Sequence, residues 1–409
     1  MGSVNSLRAP APTPKGPAPK IVARRIGTWF RKEALPLPWR TTRDPYRIWV
    51  AEVLLQQTRV PVARRYYLRF LRAFPTLSAL ARAPREKVLK AWEGAGYYAR
   101  ARNLHESARK IVRERHGRFP TASGELAQLP GFGPYISRSV AALAFQEPTL
   151  ALDANGIRVL SRVYRIEEPA GSRAWRRLME PVVARLPTSG VAPRELNEGL
   201  MELGERVCLP REPRCPACPL RGICLAWREL PEPGSLPRRR APVARPHVVA
   251  AVGALLRPPD RVLVGRRPEG GLLGGFWELP GGKLEPGESP AHAVLREFRE
   301  ETGRAPRIVR KLGVVEHQYS HFRVTLHVYE LRDAPGTAGA HPTGSRLPPP
   351  FRWVTGRELL RLPLPGATRK MLPWILPRLA GARRDLTGGL PPARRASRGS
   401  GSRRGRSPA

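Results

Sequence analysis

Apolar residues recur at helical spacing through the first half of the chain, from Ile21 to about Trp227. Proline and glycine interrupt this pattern at short intervals, and no segment between them alternates as a half-buried strand does. After a proline-rich basic segment the period changes, because short runs of apolar and β-branched residues follow one another. This pattern predicts strands at 248–256, 261–265, 314–317 and 324–331 and a helix at 289–302. The sequence therefore predicts an all-α half followed by an α+β half.

The composition divides the chain into five segments. We expect disordered tails at both ends, the first rich in Ala and Pro and the second in Arg, Gly and Ser. A basic, proline-rich linker separates the two predicted domains. The predicted segments are a tail at 1–20, a helical domain at 21–228, the linker at 229–246, an α+β domain at 247–380 and a tail at 381–409.

The charge of the chain indicates a polyanionic partner. Lysine and arginine total 72 against 33 acidic residues, which gives a formal net charge of +39. A GC-rich genome would explain the preference for arginine but not the shortage of acids, and nucleic acid is the commonest polyanion that such proteins bind. No stretch approaches the roughly 20 apolar residues that a membrane span needs, so we expect no membrane partner.

All four cysteines lie between positions 208 and 224. They are too few for a disulfide framework, so their clustering indicates one metal-ligand set made in a reducing compartment. The spacing Cys208-x6-Cys215-x2-Cys218-x5-Cys224 suits either a structural zinc ion or an iron–sulfur cluster, and it leaves both open. A reducing compartment and a nucleic-acid partner agree with a cytoplasmic location, and we expect a bacterial, nucleoid-associated protein.

One carboxylate in the first half has the surroundings of a general acid. Asp44 and Pro45 are typical of a helix start, and the residues after them predict a helix over 46–58. Glu52 lies one turn before Gln56 on the same face. Burial among the apolar turns would raise the pKa of Glu52, which suits a proton donor near neutral pH. The alternative from spacing alone is an exposed glutamate on an amphipathic helix.

A glycine-containing turn precedes a second carboxylate. Gly131 and Gly133 lie just before a predicted helix at 135–145, where they let backbone approach a phosphate closely. The pattern resembles the helix-hairpin-helix element of DNA repair enzymes, which grips the duplex backbone without reading bases; an ordinary helix–helix turn is the alternative. Asp153 and Asn155 begin the next predicted helix, and either could be its N-cap. Glycosidic cleavage also needs a second carboxylate, which Asp153 could supply.

Three glutamates in the second half share one helix face. Glu297, Glu300 and Glu301 are spaced i, i+3 and i+4 in the predicted helix 289–302. Carboxylate oxygens grouped in this way suit Mg²⁺ or Mn²⁺, which can neutralise a pyrophosphate and activate water. A solvated acidic helix face is the alternative.

In their order along the chain, the motifs of residues 21–228 resemble those of MutY-type adenine DNA glycosylases, members of the endonuclease III superfamily. The matching features are EVLLQQT at 52–58, GAGYYARARNL at 94–104, the hairpin at 131–134, Asp153 and the four cysteines. The resemblance implies an all-α helix-hairpin-helix glycosylase with an iron–sulfur module at 196–228, in which the cysteines hold a [4Fe–4S] cluster. It also implies base excision repair by a monomer that removes adenine mispaired with 8-oxoguanine or guanine in double-stranded DNA.

The resemblance further implies roles for individual residues. Glu52 would protonate the adenine, and Asp153, with Asn155 in the same catalytic set, would support or attack the sugar cation. Tyr135 occupies the position of the Schiff-base lysine of bifunctional relatives, so no lyase step is expected. Tyr97 would wedge into the base stack beside the oxidised guanine. The other implied DNA- and lesion-contacting residues are Gln56, Gln57, Thr58, Gly131 and Gly133.

Two departures and two alternatives accompany this interpretation. Ala154 stands where the family usually has Gly, and Gly156 where it usually has an aliphatic residue, so we expect a changed loop at Asp153. An endonuclease III-type pyrimidine glycosylase would share the hairpin and the cysteines, but it would carry lysine at position 135. A Nudix pyrophosphohydrolase tethered to DNA by the helical half is the other alternative.

Residues 282–303 resemble the Nudix box of MutT-type pyrophosphohydrolases, with Arg304 replacing its final aliphatic residue. This resemblance is the basis of the alternative that the protein is a Nudix pyrophosphohydrolase tethered to DNA. Adenine glycosylases normally carry a Nudix-like domain that has lost this box and recognises 8-oxoguanine. The resemblance implies that Ser320 and His321, after Tyr319 in place of Phe, contact that base or its flanking phosphate. Two functions stay open for this α+β Nudix-fold domain: recognition alone, or recognition with Mg²⁺- or Mn²⁺-dependent hydrolysis of an oxidised nucleotide.

Overall fold

A computed structural model describes residues 14–56, 58–238, 245–268, 273–319, 322–334 and 351–379. The chain divides into two compact units. The helical unit comprises Met1–Pro246, Pro268–Phe276 and Pro363–Gly366, and the sheet unit comprises His247–Arg267, Trp277–Leu362 and Ala367–Ala409. The predicted tail at 381–409, most of the tail at 1–20, and Gln57, Ser320 and His321 lie outside the described residues.

The helical unit is built from short helices, and none of its described residues is in a strand, as the apolar pattern predicts. Its helices are α1 (Pro19–Glu33), α2 (Pro45–Leu55), α3 (Val60–Ala73), α4 (Leu77–Arg82), α5 (Arg85–Trp92), α6 (Ala99–Arg115), α7 (Ser123–Leu126), α8 (Pro134–Phe145), α9 (Ala154–Val163), α10 (Arg173–Arg185), α11 (Pro193–Arg206) and α12 (Leu225–Glu229). No described helix is both long enough and apolar enough to cross a bilayer.

Two apolar clusters stabilise the helical unit. One fills the space among α2 to α8 and includes Trp49, Phe70 and Trp92, all almost fully buried. The other lies among α1 and α9 to α11 and includes Leu160 and Leu203. Helix α8 packs against both α2 and α11, and α11 packs against α9. The polar side chains of these four helices therefore meet where the two clusters adjoin.

The sheet unit is a mixed seven-stranded sheet with the order β3-β2-β1-β6-β5, with β4 paired to β1 and β7 paired to β2. Its strands are β1 (His247–Arg257), β2 (Arg261–Arg266), β3 (Trp277–Glu278), β4 (Gly281–Lys283), β5 (Pro306–Gln318), β6 (Arg323–Asp333) and β7 (Phe351–Thr355), and its helices are α13 (Pro290–Thr302), α14 (Gly356–Arg361) and α15 (Gly366–Ile375). Strands β1 and β6 are parallel, with Ala250 opposite Leu326, and the other pairs are antiparallel.

The predicted all-α and α+β halves are thus confirmed, with differences in the elements. The helix predicted at 289–302 is α13, and Ser289 Oγ caps it by accepting from His292 N at 3.2 Å. Strands β3, β4 and β7 were not predicted; β3 and β4 have only two and three residues, which is too few for an apolar period to show. Strand β5 begins eight residues earlier than the predicted 314, because its first part is largely exposed and lacks an apolar face.

Candidate active site

Glu52 lies on a helix that is buried along most of its length. Helix α2 starts as predicted, with Asp44 Oδ1 accepting a hydrogen bond from Tyr46 N at 2.9 Å and Pro45 in the first turn. Only 2% of the Glu52 surface is exposed, which excludes the alternative of a glutamate on a solvated face. The prediction that this helix continues to residue 58 is wrong. It ends at Leu55, and Gln56 leaves the helical conformation with ψ at 111°.

Two hydroxyl groups from α8 contact the same oxygen of Glu52. Tyr135 donates to Glu52 Oε2 at 3.0 Å, and Ser139 donates to it at 2.7 Å. The two donors are one helical turn apart, so both project from the same face of α8. Sequence reasoning singled out Tyr135 but missed Ser139. The signal available was the i, i+4 spacing of Ser139 from the predicted site tyrosine.

The surroundings of Glu52 raise the pKa of its carboxyl to about 7. Burial is the main cause, and the carboxylates of Glu198 and Asp153 raise it further, while the hydroxyls of Ser139 and Tyr135 lower it. A carboxyl with this pKa carries a proton over much of the neutral range and can give it to a bound base. The surroundings of Glu52 are therefore those expected of a general acid.

Glu198 on α11 is a further buried carboxylate at this site that sequence reasoning missed. It is 6% exposed, and its guanidinium neighbours are Arg194 at 3.4 Å and Arg40 at 3.9 Å. No described group donates a hydrogen bond to Glu198 Oε1, and burial raises the pKa of this carboxyl. Glu198 comes to the site because α11 packs against α8, which packs against α2, so no local motif marks it.

Asp153 is the N-cap of α9. Its Oδ1 accepts from Gly156 N at 2.7 Å, and its Oδ2 accepts from Asn155 Nδ2 at 2.8 Å. Burial raises the pKa of Asp153, and these two donors and Arg158 oppose the rise. The structure thus joins Asp153 and Asn155 in one hydrogen-bonded pair on the side of the site facing α11.

The two departures in this loop have a physical explanation. Ala154 takes the first helical position of α9 with its side chain exposed, so the backbone there needs none of the freedom of glycine. Gly156 is buried, and a Cβ added to it would lie 3.0 Å from Leu152 Cδ2 and 3.1 Å from Leu200 Cδ2. The described loop accommodates both residues, and Asp153 keeps an ordinary capping geometry.

A buried guanidinium links Asn155 to the cysteine-containing segment. Arg158 Nη2 donates to Asn155 Oδ1 at 2.7 Å and to Gly204 O at 2.7 Å. Arg158 Nε donates to Cys208 O at 2.7 Å. The Asp153–Asn155 pair therefore rests on the same backbone that carries the first cysteine.

The four cysteine side chains line one cavity with a largely apolar wall. None of them is in a disulfide. Arg162 Nη1 donates to Cys208 Sγ at 3.2 Å, and burial raises the pKa of Cys218 to about 12. No three His, Cys, Asp or Glu side chains of the described ranges are arranged to hold a metal ion. The donor set of four soft sulfurs beside a guanidinium fits an iron–sulfur cluster, whose ligands bind separate irons and stand farther apart than those of one ion.

The predicted DNA-contacting residues that the structure describes lie on accessible turns. Gly131 and Gly133 are exposed in the turn before α8, and Gly131 has φ +77°, which favours glycine. Tyr97 is 38% exposed. Arg100 lies under its ring at 5.0 Å and donates to Gln56 O at 2.7 Å. Arg100 thus ties the Tyr97 turn to the end of α2, and Thr58, partly buried, follows that end.

The acidic residues of α13 face strand β4. Glu301 Oε2 accepts from Gly281 N at 3.1 Å, and Glu297 lies so close to Gly282 that a Cβ there would clash with its carboxylate. Arg296 pairs with both Glu300, at 3.0 Å, and Glu297, at 3.2 Å. The structure therefore brings Glu297 and Glu301 together at β4, with one guanidinium shared by Glu297 and Glu300. Arg296 also binds Glu288 at 2.9 Å.

A buried carboxyl with a raised pKa, a second carboxylate at a helix start and an exposed glycine turn are the features expected of a base-excision DNA glycosylase. Residues 50–184 match the family model described as HhH-GPD superfamily base excision DNA repair protein, and residues 251–374 match the model described as NUDIX domain. The adenine DNA glycosylase of Mus musculus is 33% identical over 399 residues, covering 84% of this chain and 76% of the mouse protein. The chain belongs to the adenine DNA glycosylase family.

Other similarities extend over parts of the chain. The adenine DNA glycosylase of Mycobacterium tuberculosis is 37% identical over 227 residues, covering 55% of this chain and 73% of that protein. A solved structure of a thermostable thymine-DNA glycosylase is 27% identical with a TM-score of 0.46, covering 52% of this chain and 97% of its own. The predicted family and enzyme class, a DNA glycosylase, are confirmed by the family models and the mouse relative.

Proposed function

We propose that this glycosylase hydrolyses the N-glycosidic bond of adenine mispaired with 8-oxoguanine or guanine in double-stranded DNA. Glu52 gives its proton to the adenine, which makes the base a better leaving group. Asp153 stabilises or traps the positively charged sugar, and Asn155 holds Asp153. Tyr135 hydrogen-bonds Glu52 and offers no amine for a Schiff base, so the enzyme is monofunctional and leaves an abasic site.

The observation that carries this proposal is the buried Glu52 carboxyl with a pKa of about 7 and two hydroxyl donors. A carboxyl with an unperturbed pKa would be ionised at neutral pH and could not protonate a base. Asp153 lies close enough to raise this pKa, which supports a two-carboxylate site.

Single-turnover assays on matched duplexes test the substrate. Adenine opposite 8-oxoguanine or guanine should be released, and adenine opposite thymine should not. Duplexes with an oxidised pyrimidine serve as the comparison, since release of that base with strand cleavage would instead support an endonuclease III-type enzyme. Absence of adenine release from protein that contains its full iron–sulfur cluster would contradict the proposal.

We assign recognition of 8-oxoguanine to the sheet unit, through Ser320 and His321. Beside these two residues in sequence, Tyr319 N donates to Phe322 O at 2.9 Å, and the ring of Tyr319 contacts those of His317 and Phe322. Aromatic rings grouped in this way support the assignment because bases stack on them. The monomeric state and the bacterial nucleoid location stay predictions, and mammalian relatives show that the family extends beyond bacteria.

We infer that Cys208, Cys215, Cys218 and Cys224 hold a [4Fe–4S] cluster. Their shared cavity and the hydrogen bond from Arg162 to Cys208 Sγ support this assignment. When bound, the cluster would keep the four thiols deprotonated and fix the segment that Arg158 connects to Asn155. Purified protein should contain roughly four irons and four acid-labile sulfides per chain. Zinc in their place would contradict the assignment.

A second activity is proposed for the sheet unit, namely Mg²⁺- or Mn²⁺-dependent hydrolysis of an oxidised nucleotide such as 8-oxo-dGTP. The favouring observation is that Glu297 and Glu301 lie together on the glycine backbone of β4. Two carboxylates that lie side by side provide oxygen ligands for such a cation.

The Glu301→Gln variant should lose this hydrolysis by about 100-fold, because it removes a carboxylate ligand of the metal. Pyrophosphate release from 8-oxo-dGTP with Mg²⁺ measures the effect. The matched control is Glu316→Gln, which changes an exposed glutamate of β5 in the same unit and should leave the rate unchanged. If wild type and Glu301→Gln hydrolyse 8-oxo-dGTP at equal rates, or if wild type does not hydrolyse it, recognition is the sole function of this unit.

A further inference from the structure

The two oxygens of the Glu52 carboxyl have different surroundings. Oε2 accepts both the Tyr135 and the Ser139 hydroxyl. Oε1 accepts no hydrogen bond from the described residues, yet it is not among their fully buried polar atoms. One oxygen is therefore held by two protein hydroxyls, and the other keeps a small accessible surface on a residue that is only 2% exposed.

We propose that Ser139 is a positioning residue for the general acid, whose hydroxyl holds Oε2 of Glu52 so that the transferable proton lies on Oε1. The proposal rests on the proposed role of Glu52 as proton donor. It adds a second donor to that of Tyr135 and states which oxygen delivers the proton.

Hydroxyl chemistry supports the assignment. A serine hydroxyl can donate one hydrogen bond, and that of Ser139, a fully buried residue, is directed to Glu52 at 2.7 Å. Both hydroxyls can keep donating to Oε2 whether Oε1 is protonated or not, since Oε2 is an acceptor in either state. Transfer of the proton from Oε1 then needs no rearrangement of the donors, which is the preorganisation that lowers a barrier.

The same contact also affects the titration of Glu52. The groups facing this carboxyl are the hydroxyls of Tyr135 and Ser139 from α8, Glu198 from α11 and Asp153 before α9. Burial and the two carboxylates raise the pKa of Glu52, and the two hydroxyls lower it. Without Ser139 the pKa should rise, so the loss of activity with increasing pH should begin at higher pH.

The test compares Ser139→Ala with Ser137→Ala in single-turnover adenine release from about pH 5 to about pH 9. Ser139→Ala should move the basic limb of the profile upward by about one pH unit, because a hydrogen bond to a carboxylate is lost. At the acidic end, where Glu52 is protonated, its rate should fall about three- to tenfold through looser positioning. Ser137 is also buried on α8, but its hydroxyl donates to Gly133 O at 3.1 Å, so its variant should match wild type.

A second variant and a direct measurement complete the test. Ser139→Cys keeps the volume of the side chain with a weak donor and should shift the profile in the same direction. Infrared titration of the carboxyl, with Glu52→Gln as the subtraction, should show the same upward shift of the Glu52 pKa. Profiles of Ser139→Ala and Ser139→Cys that superimpose on wild type would overturn the role of Ser139. Full activity of Glu52→Gln would instead overturn the proposed function.

Discussion

The Glu52→Gln variant is expected to release adenine at least about 10³-fold more slowly than wild type in a single turnover. Glutamine has nearly the same shape as glutamate, and its amide oxygen can still accept from Tyr135 and Ser139. It has no proton to give at neutral pH, so the adenine would leave as an unprotonated base. The measurement is adenine release from a duplex with adenine opposite 8-oxoguanine, with DNA affinity measured in parallel.

The matched control is Glu106→Gln, which makes the same chemical change at an exposed position of α6. It should retain wild-type excision, and Glu52→Gln should retain wild-type DNA affinity, since the buried carboxyl makes little contribution to phosphate binding. Excision by Glu52→Gln above about one tenth of the wild-type rate would exclude Glu52 as the essential acid.

The stability of the same variant provides an independent check. The pKa of Glu52 rises from 4.5 to about 7 on folding, so between these values the native state binds more protons than the unfolded state. The free energy of unfolding therefore decreases as pH rises through this window, and the loss is complete above the folded pKa. Glu52→Gln lacks this titration. It should be more stable than wild type by roughly 1–3 kcal/mol near pH 8 and by less near pH 5, measured by thermal unfolding.

The helical settings of Glu52 and Asp153 could be predicted from the sequence because each lies in a local pattern, whereas their proposed catalytic roles were implied by the family resemblance. Asp44 and Pro45 indicate the start of α2, and the apolar residues on either side of Glu52 in the sequence indicate that it is buried. Asp153 starts α9 in the position of an N-cap. These signals involve residues a few positions apart, which is the range over which sequence periodicity carries information.

The partners of these carboxylates could not be predicted, because they arrive through packing. Ser139 and Glu198 reach Glu52 from α8 and α11, and Arg158 reaches the Cys208 backbone from α9. Each looks like an ordinary helical residue in sequence. The end of α2 was misplaced for a similar reason. Arg100, from α6, donates hydrogen bonds to Val53 O and Gln56 O at the end of this helix, and no local pattern in the sequence indicates that contact.

The Asp153→Asn variant is expected to lose adenine excision by about 10²- to 10³-fold while keeping the folded structure. Asparagine is as good an N-cap as aspartate, and its amide oxygen can accept from Gly156 N as Oδ1 does now. Its NH₂ group, however, would face the NH₂ group of Asn155, which now donates to Oδ2. The negative charge that would stabilise the sugar cation is also removed.

The Asp44→Asn variant is the control that distinguishes an effect on helix capping from an effect on catalysis. Asp44 caps α2 through Tyr46 N just as Asp153 caps α9 through Gly156 N, so the two substitutions make the same change at two helix starts. If the charge of Asp153 acts on the sugar, only Asp153→Asn should slow excision, and both variants should unfold at temperatures close to wild type. Equal losses of excision and of stability in the two variants would mean that Asp153 serves as a helix cap and no more. The comparison therefore assigns the second carboxylate to chemistry or to folding by the difference between two helix-capping aspartates, one exposed and one partly buried.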